Sequence, residues 1–205
     1  MVSQNVSVRI PMDARSVRVL AVEAWRRAEA MGLVPPDAAR LETADVERLV
    51  RRVREAGIAR GPALRFDNVE IPSVEEAESL LRLVVAALEA SPVPKFEWGA
   101  VSRVLEPEQL AGLLNISVTS LRRYASGERD TPDDVAARLH HLALLVGDLA
   151  GAYNEVGVRR WFERPRAALD GRAPAALLAG DWTPEDAGPL RVRELARSLV
   201  ALGAT

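Results

Sequence analysis

Residues 107–127, PEQLAGLLNISVTSLRRYASG, constrain the fold more than any other stretch, because they spell two short helices around a corner. Leu110, Ala111 and Leu114 share one face of the first helix, with the small alanine where a second helix must cross closely. Asn115 follows. Asparagine is among the few non-glycine residues that tolerate the left-handed conformation a tight interhelical corner needs. Ile116 plugs the corner, and Ser117 can cap a second helix in which Val118, Leu121 and Tyr124 or Ala125 face the core before Gly127 ends it. Seven positions, Leu110, Ala111, Leu114, Asn115, Ile116, Leu121 and Tyr124, agree with a helix-turn-helix. The same arrangement turns Thr119, Ser120, Arg122, Arg123 and Ser126 outward.

A helix of this kind can enter the major groove of DNA, where arginine reads guanine O6 and N7 bidentately and short hydroxyls reach bases or phosphates. Thr119, Ser120 and Arg122 are the candidate base contacts. Arg123 and Arg129 are placed to hold phosphates, with Ser126 completing the candidate DNA-binding set. The competing reading is a plain helical hairpin with a solvated arginine face. Charge bears on the choice: the chain carries 27 Lys+Arg against 29 Asp+Glu, so no global basic excess advertises nucleic acid. Residues 98–155 sum to −3 and residues 156–205 to +2. Any DNA binding is therefore local and strongly salt-dependent, and a homodimer setting two recognition helices one turn apart is expected. Lys95 is the only lysine, a bias that reports codon usage before function.

ERDTPDDVAARLHHLALLVGDLAGAY predicts a long helix, with Thr131 as N-cap, Pro132 at its first position and Asp133 and Asp134 against the positive end. Val135, Leu139, Leu142, Leu145, Val146 and Leu149 give a wide apolar stripe, suited to joining neighbouring elements or to a dimer seam. Structural joining is the expected role. His140 and His141 are adjacent and point about 100° apart, so they cannot share a metal, and they read as surface or boundary residues.

Ahead of this segment the sequence reads as mostly helical. A helix is expected from about Ala14 to Met31, with Val17, Leu20, Ala21, Ala24 and Ala28 at helical spacing. A second carries Val46, Leu49, Val50 and Val53, with Thr43 as N-cap and Gly57 as stop. A third is capped by Ser73 and runs to about Ala90, its first turn acidic. The stretches VSVRI and ALRFDNVEI form at most a minor strand pair. Pro92 and Pro94 in SPVPKFEWGA read as a linker.

Behind the long helix, Trp161, Pro165, Leu169, Gly171, Pro174, Leu177 and Leu178 follow one another, and a final helix RVRELARSLVALG closes the chain. In this order, behind a helix-turn-helix, the chain resembles the Xre/MbcA/ParS family of antitoxins, whose C-terminal toxin-binding domain carries a tryptophan, a proline, a leucine-glycine pair, a second proline and a double leucine. The likeness covers roughly residues 98–205, about half the chain. Asp170 interrupts the leucine-glycine pair, DWTPEDAGPL is a longer and more proline-rich connection, and the first 90 residues are extra. Physically, Pro165 and Pro174 can each start a short helix, Gly171 allows the turn between them, and Trp161, Leu169, Leu177 and Leu178 can pack a miniature core.

The resemblance implies an antitoxin encoded beside a toxin with a RES domain, a fold that consumes NAD or transfers ADP-ribose. Such an antitoxin covers the toxin's active site with its C-terminal domain and represses its own promoter through the helix-turn-helix. Arg191, Arg193, Arg197 and Thr205 are then the candidate toxin contacts, against the alternative of a solvated helix face shared with Glu194. A truncation after Gly188 is expected to keep DNA binding and lose neutralisation.

The expected architecture is mainly α, in three parts: residues 1–90 of unread role, a helix-turn-helix with its connecting helix over 98–153, and a small helical toxin-binding-like domain over 154–205. With no cysteine, no metal-ligand spacing, no phosphate-binding glycine loop and no His–carboxylate–nucleophile set, neither an enzyme nor a cofactor or metal is expected. No signal-length or membrane-length apolar run is legible, so a cytoplasmic protein without a membrane partner is expected. The alternative function is a stand-alone regulator whose first 90 residues sense a ligand or drive oligomerisation.

Overall fold

Helices form wherever the sequence carries the 3.6-residue apolar period, and the computed structural model describes residues 10–36, 41–58 and 72–203. In chain order they are α1 (Arg15–Ala30), α2 (Thr43–Glu55), α3 (Val74–Ala90), α4 (Pro94–Val104), α5 (Pro107–Leu114), α6 (Val118–Ala125), α7 (Asp133–Ala150), α8 (Glu155–Glu163), a 3-10 turn (Ala167–Leu169), α9 (Pro174–Leu177) and α10 (Ala187–Gly203). The fold is mainly α, and among the described residues β pairing is limited to one antiparallel bridge, Arg166 with Arg172. The strand pair expected from VSVRI and ALRFDNVEI lies outside the described residues, apart from Ile10. None of the described helices is long and apolar enough to cross a membrane.

The chain divides into two compact units, Met1–Glu29 with Leu33–Ser91 and Ala30–Gly32 with Pro92–Thr205. In the first, Val46, Leu49, Val50 and Val53 of α2 and Ala77, Leu81, Val84 and Leu88 of α3 are buried. Ser73 caps α3 through a reciprocal pair of bonds, its Oγ accepting from the Glu76 amide at 3.2 Å while its own amide donates to Glu76 Oε2 at 2.8 Å. The N-cap of α2 is Glu42, one residue before the expected Thr43. Glu42 has the extended backbone a cap requires, and Thr43 instead donates its hydroxyl to the Ile10 carbonyl at 3.4 Å.

The second unit is built round α7, which packs against α4, α5, α8 and α10. Leu139, Leu142, Leu145 and Leu149 are fully buried, each worth about 1.5–3 kcal/mol of transfer free energy. The burial extends round the helix to Ala136, Arg138, His140, His141, Ala143 and Leu144. This overturns both the surface reading of the two histidines and the dimer-seam option for the stripe, since α7 is already enclosed. The expected linker shortens to three residues, because Pro94 takes the first position of α4, where its missing amide costs nothing. Pro132, not Thr131, is the N-cap of α7. Thr131 Oγ1 accepts the indole N–H of buried Trp98 at 2.9 Å.

The division expected at residue 153 does not appear in the core. Trp98, Leu114, Leu139, Trp161, Leu169, Leu178, Trp182, Val192 and Ala196 belong to one hydrophobic cluster. Trp161, Leu169 and Leu178 are buried there, not in a separate miniature core, and Leu177 is only partly covered. Pro174 starts α9 as expected, but Pro165 starts no helix. It leads into the Arg166–Arg172 bridge, which turns through Asp170 (φ 56°) and Gly171 (φ 75°), both left-handed. Aspartate is one of the residues that tolerates this conformation, so Asp170, which interrupts the leucine-glycine pair in sequence, shapes the turn beside Gly171.

Candidate nucleic-acid interface

Asn115 adopts the left-handed conformation at φ 55°, ψ 44°, and makes the corner between α5 and α6. Leu110, Ala111, Leu113 and Leu114 are the buried side of α5. Ser117 caps α6, accepting the Ser120 amide at 3.0 Å, and Gly127, at φ 72°, ends the turn beyond it. Leu121 and Tyr124 anchor α6 inward, the Tyr124 ring stacked on Trp98 at 6.2 Å between centroids. Ala125 is exposed, so Tyr124 is the inward residue of that pair, and Ile116 is partly buried against the core.

Thr119, Arg122, Arg123 and Ser126 lie at i, i+3, i+4 and i+7, so they share one face of α6, and all four are exposed. Ser120 is half-buried; its hydroxyl accepts from Ser117 Oγ at 3.0 Å, tying it to the cap. The Arg122 side chain makes no hydrogen bond or ion pair among the described residues, so its guanidinium fork is available. Arg123 Nε pairs with Glu128 at 2.9 Å, both side chains more than half exposed, an ion pair worth little that a phosphate can replace. Arg129 stands over the Tyr124 ring at 5.6 Å, a cation–π contact that holds it beside the end of α6. Ser126 donates its hydroxyl to the Arg123 carbonyl at 3.2 Å, closing the helix C-terminus. The structure thus gathers all six candidate DNA-binding residues on and just beyond one short helix.

The C-terminal arginines are less free than their sequence suggests. Arg191 reaches back to the bridge turn, donating to Asp170 Oδ2 at 2.9 Å and the Ala168 carbonyl at 3.1 Å. Arg193 is half-buried beside His141, and Arg197 lies 3.7 Å from Asp148 of α7. Thr205 lies outside the described residues.

Several residues absent from the sequence expectations organise this unit. Glu97 is fully buried on α4 and its Oε1 lies 2.6 Å from His140 Nδ1, a carboxylate–imidazole pair sealed in the core. Burial holds His141 well below the ordinary histidine range, at about 4, with the positive field of Arg193 and the neighbouring His140 adding to it and a hydrogen bond to the Pro189 carbonyl opposing. Arg138, 5% exposed, bonds to three parts of the chain, and Trp182, 4% exposed, lies edge-on to His141 at 5.4 Å. One signal pointed here: Leu142–Val146 is five apolar residues in a row, which an amphipathic surface helix does not carry, so polar neighbours in α7 had to be buried with partners.

No family model, no curated protein and no solved structure matches this chain.

Proposed function

We propose that the chain is a sequence-specific DNA-binding protein that reads a duplex with α6, and that it acts as the repressor and antitoxin of a toxin–antitoxin pair whose toxin carries a RES domain. The observation that carries the DNA half is the exposed face of Thr119, Arg122, Arg123 and Ser126 on a capped helix behind a left-handed asparagine corner. Arg122 would read a base edge while Arg123 and Arg129 hold the backbone. Since one such module carries few cations, a homodimer spanning two half-sites is part of the proposal.

The antitoxin half is supported by the family resemblance of residues 161–178. On α10, Leu190 is 53% exposed and shares a face with Arg197, seven residues on, which gives an apolar and cationic strip for a partner. A second reading, a stand-alone regulator that oligomerises through its first unit, is favoured by Val19 on α1 and Leu83 on α3, at 57% and 43% exposure.

Selection of randomised duplexes by the full-length protein tests the DNA half. An enriched motif in two half-sites about one helical turn apart is expected; recovery of unenriched sequence would refute it. Co-purification with the product of the neighbouring gene separates antitoxin from stand-alone regulator.

A further inference from the structure

The last four carbonyls of a helix have no partner within it, and buried ones must find partners elsewhere. In α5 these are Ala111, Gly112, Leu113 and Leu114, immediately before the corner that aims α6. Two are satisfied locally: the Ile116 amide donates to the Ala111 carbonyl at 3.0 Å and the Asn115 amide to the Gly112 carbonyl at 3.2 Å. The other two are satisfied from far along the chain. Trp182 Nε1 donates to the Leu113 carbonyl at 2.9 Å, across 69 residues, and Arg138 Nη1 donates to the Leu114 carbonyl at 3.1 Å.

These two donors are themselves locked together. Arg138 Nε donates to the Trp182 carbonyl at 2.8 Å, and its Nη2 reaches Asp181 Oδ1 at 2.5 Å and Asp134 Oδ2 at 3.4 Å. A guanidinium offers five donors in a rigid plane, so one side chain fixes α5, α7 and the 181–182 segment in a single geometry. Trp182 cannot shift without moving both its own N–H and the carbonyl that Arg138 holds. Both side chains are buried, so neither belongs to the exposed face of α6.

We infer that Trp182 and Arg138 are positioning residues for DNA reading: they clamp the C-terminal end of α5 and so fix the direction in which α6 leaves the corner. This rests on the proposed DNA-binding role of α6. The segment that carries the clamp, DWTPEDAGPL, is therefore a working part of the helix-turn-helix and not merely a connection to α10.

The test uses full-length Trp182→Phe, which keeps an aromatic ring and removes the N–H, with Arg138→Lys as a second variant that keeps the charge and loses the fork. Amide hydrogen exchange of the free protein is read at Asn115–Leu121 and at Leu142–Leu145, and affinity is measured for the selected duplex and a scrambled one over a salt series. The clamp predicts exchange at least tenfold faster at the corner with α7 little changed. It also predicts about a tenfold loss of preference for the selected duplex, with an unchanged salt slope because no phosphate contact is removed. A merely structural role would speed exchange at both places together, and that result, or an unaltered corner in both variants, overturns the clamp. Should the wild-type protein prefer no duplex, the DNA reading fails while the exchange data still decide whether the clamp holds the corner.

Discussion

Acid should weaken this protein through His141. In the folded chain its imidazole is held near 4 against an ordinary value of 6.5, because it is buried and faces the positive charges of Arg193 and Arg197 and the neighbouring His140. The unfolded chain binds a proton on this residue as pH falls through 6.5, while the folded chain resists until about 4. Between these values the unfolded state carries more protons, so stability rises with pH across the window and is lost progressively on acidification. At about 1.4 kcal/mol per pH unit, the gap amounts to about 3 kcal/mol. That is a large share of the about 5–15 kcal/mol typical of a folded protein. Urea unfolding between pH 7.5 and 4 measures it, with His141→Phe as the comparison, since a phenyl ring can keep the edge contact with Trp182 and cannot titrate. The wild type is expected to lose about 3 kcal/mol more than the variant over that range. Parallel pH profiles for the two proteins would refute the reasoning.

Other outcomes follow from the same geometry. Asn115→Gly should leave thermal stability unchanged or raised, while Asn115→Val should cost about 1–2 kcal/mol, because only the latter puts a branched side chain in the left-handed region; equal melting temperatures would contradict this. Ser117→Ala should cost about 1 kcal/mol in chemical unfolding by removing the α6 cap. Leu142→Ala should cost about 2–5 kcal/mol, and a value under about 1 would mean that α7 is not the centre of its unit. Truncation after Gly188, expected from sequence to spare DNA binding, removes Val192 and Ala196 from the shared core; the shortened chain should melt lower and bind the selected duplex poorly, and full retention of both would restore the division at residue 153.

The corner was legible because its chemistry is local. Asn115, Ser117 and Gly127 are each diagnostic of a backbone state, and the partners that satisfy them lie within a few residues. The apolar periods of α2, α3 and α7 were legible for the same reason. Arg138, Trp182, Glu97 and His140 were not, because each is defined by a partner between 24 and 69 residues away, which no window over the sequence contains. The surface-or-boundary reading of His140 and His141 fails for one physical reason: burial of α7 extends beyond its apolar stripe, so both imidazoles are enclosed. That enclosure also fuses the C-terminal segment to the helix-turn-helix, and it redirects Arg191 and Arg197 toward Asp170 and Asp148.

In the proposed function, α6 reads a duplex through Arg122, exposed on its outward face. Fluorescence anisotropy of wild type, Arg122→Ala and Arg123→Ala on the selected and scrambled duplexes, over a salt series, tests it most directly. Arg122→Ala should lose about 1–3 kcal/mol on the selected duplex and almost nothing on the scrambled one, while Arg123→Ala weakens both and lowers the salt slope by about 1. Undiminished discrimination in Arg122→Ala, with the fold intact by circular dichroism, would remove Arg122 and the outward face of α6 from sequence reading.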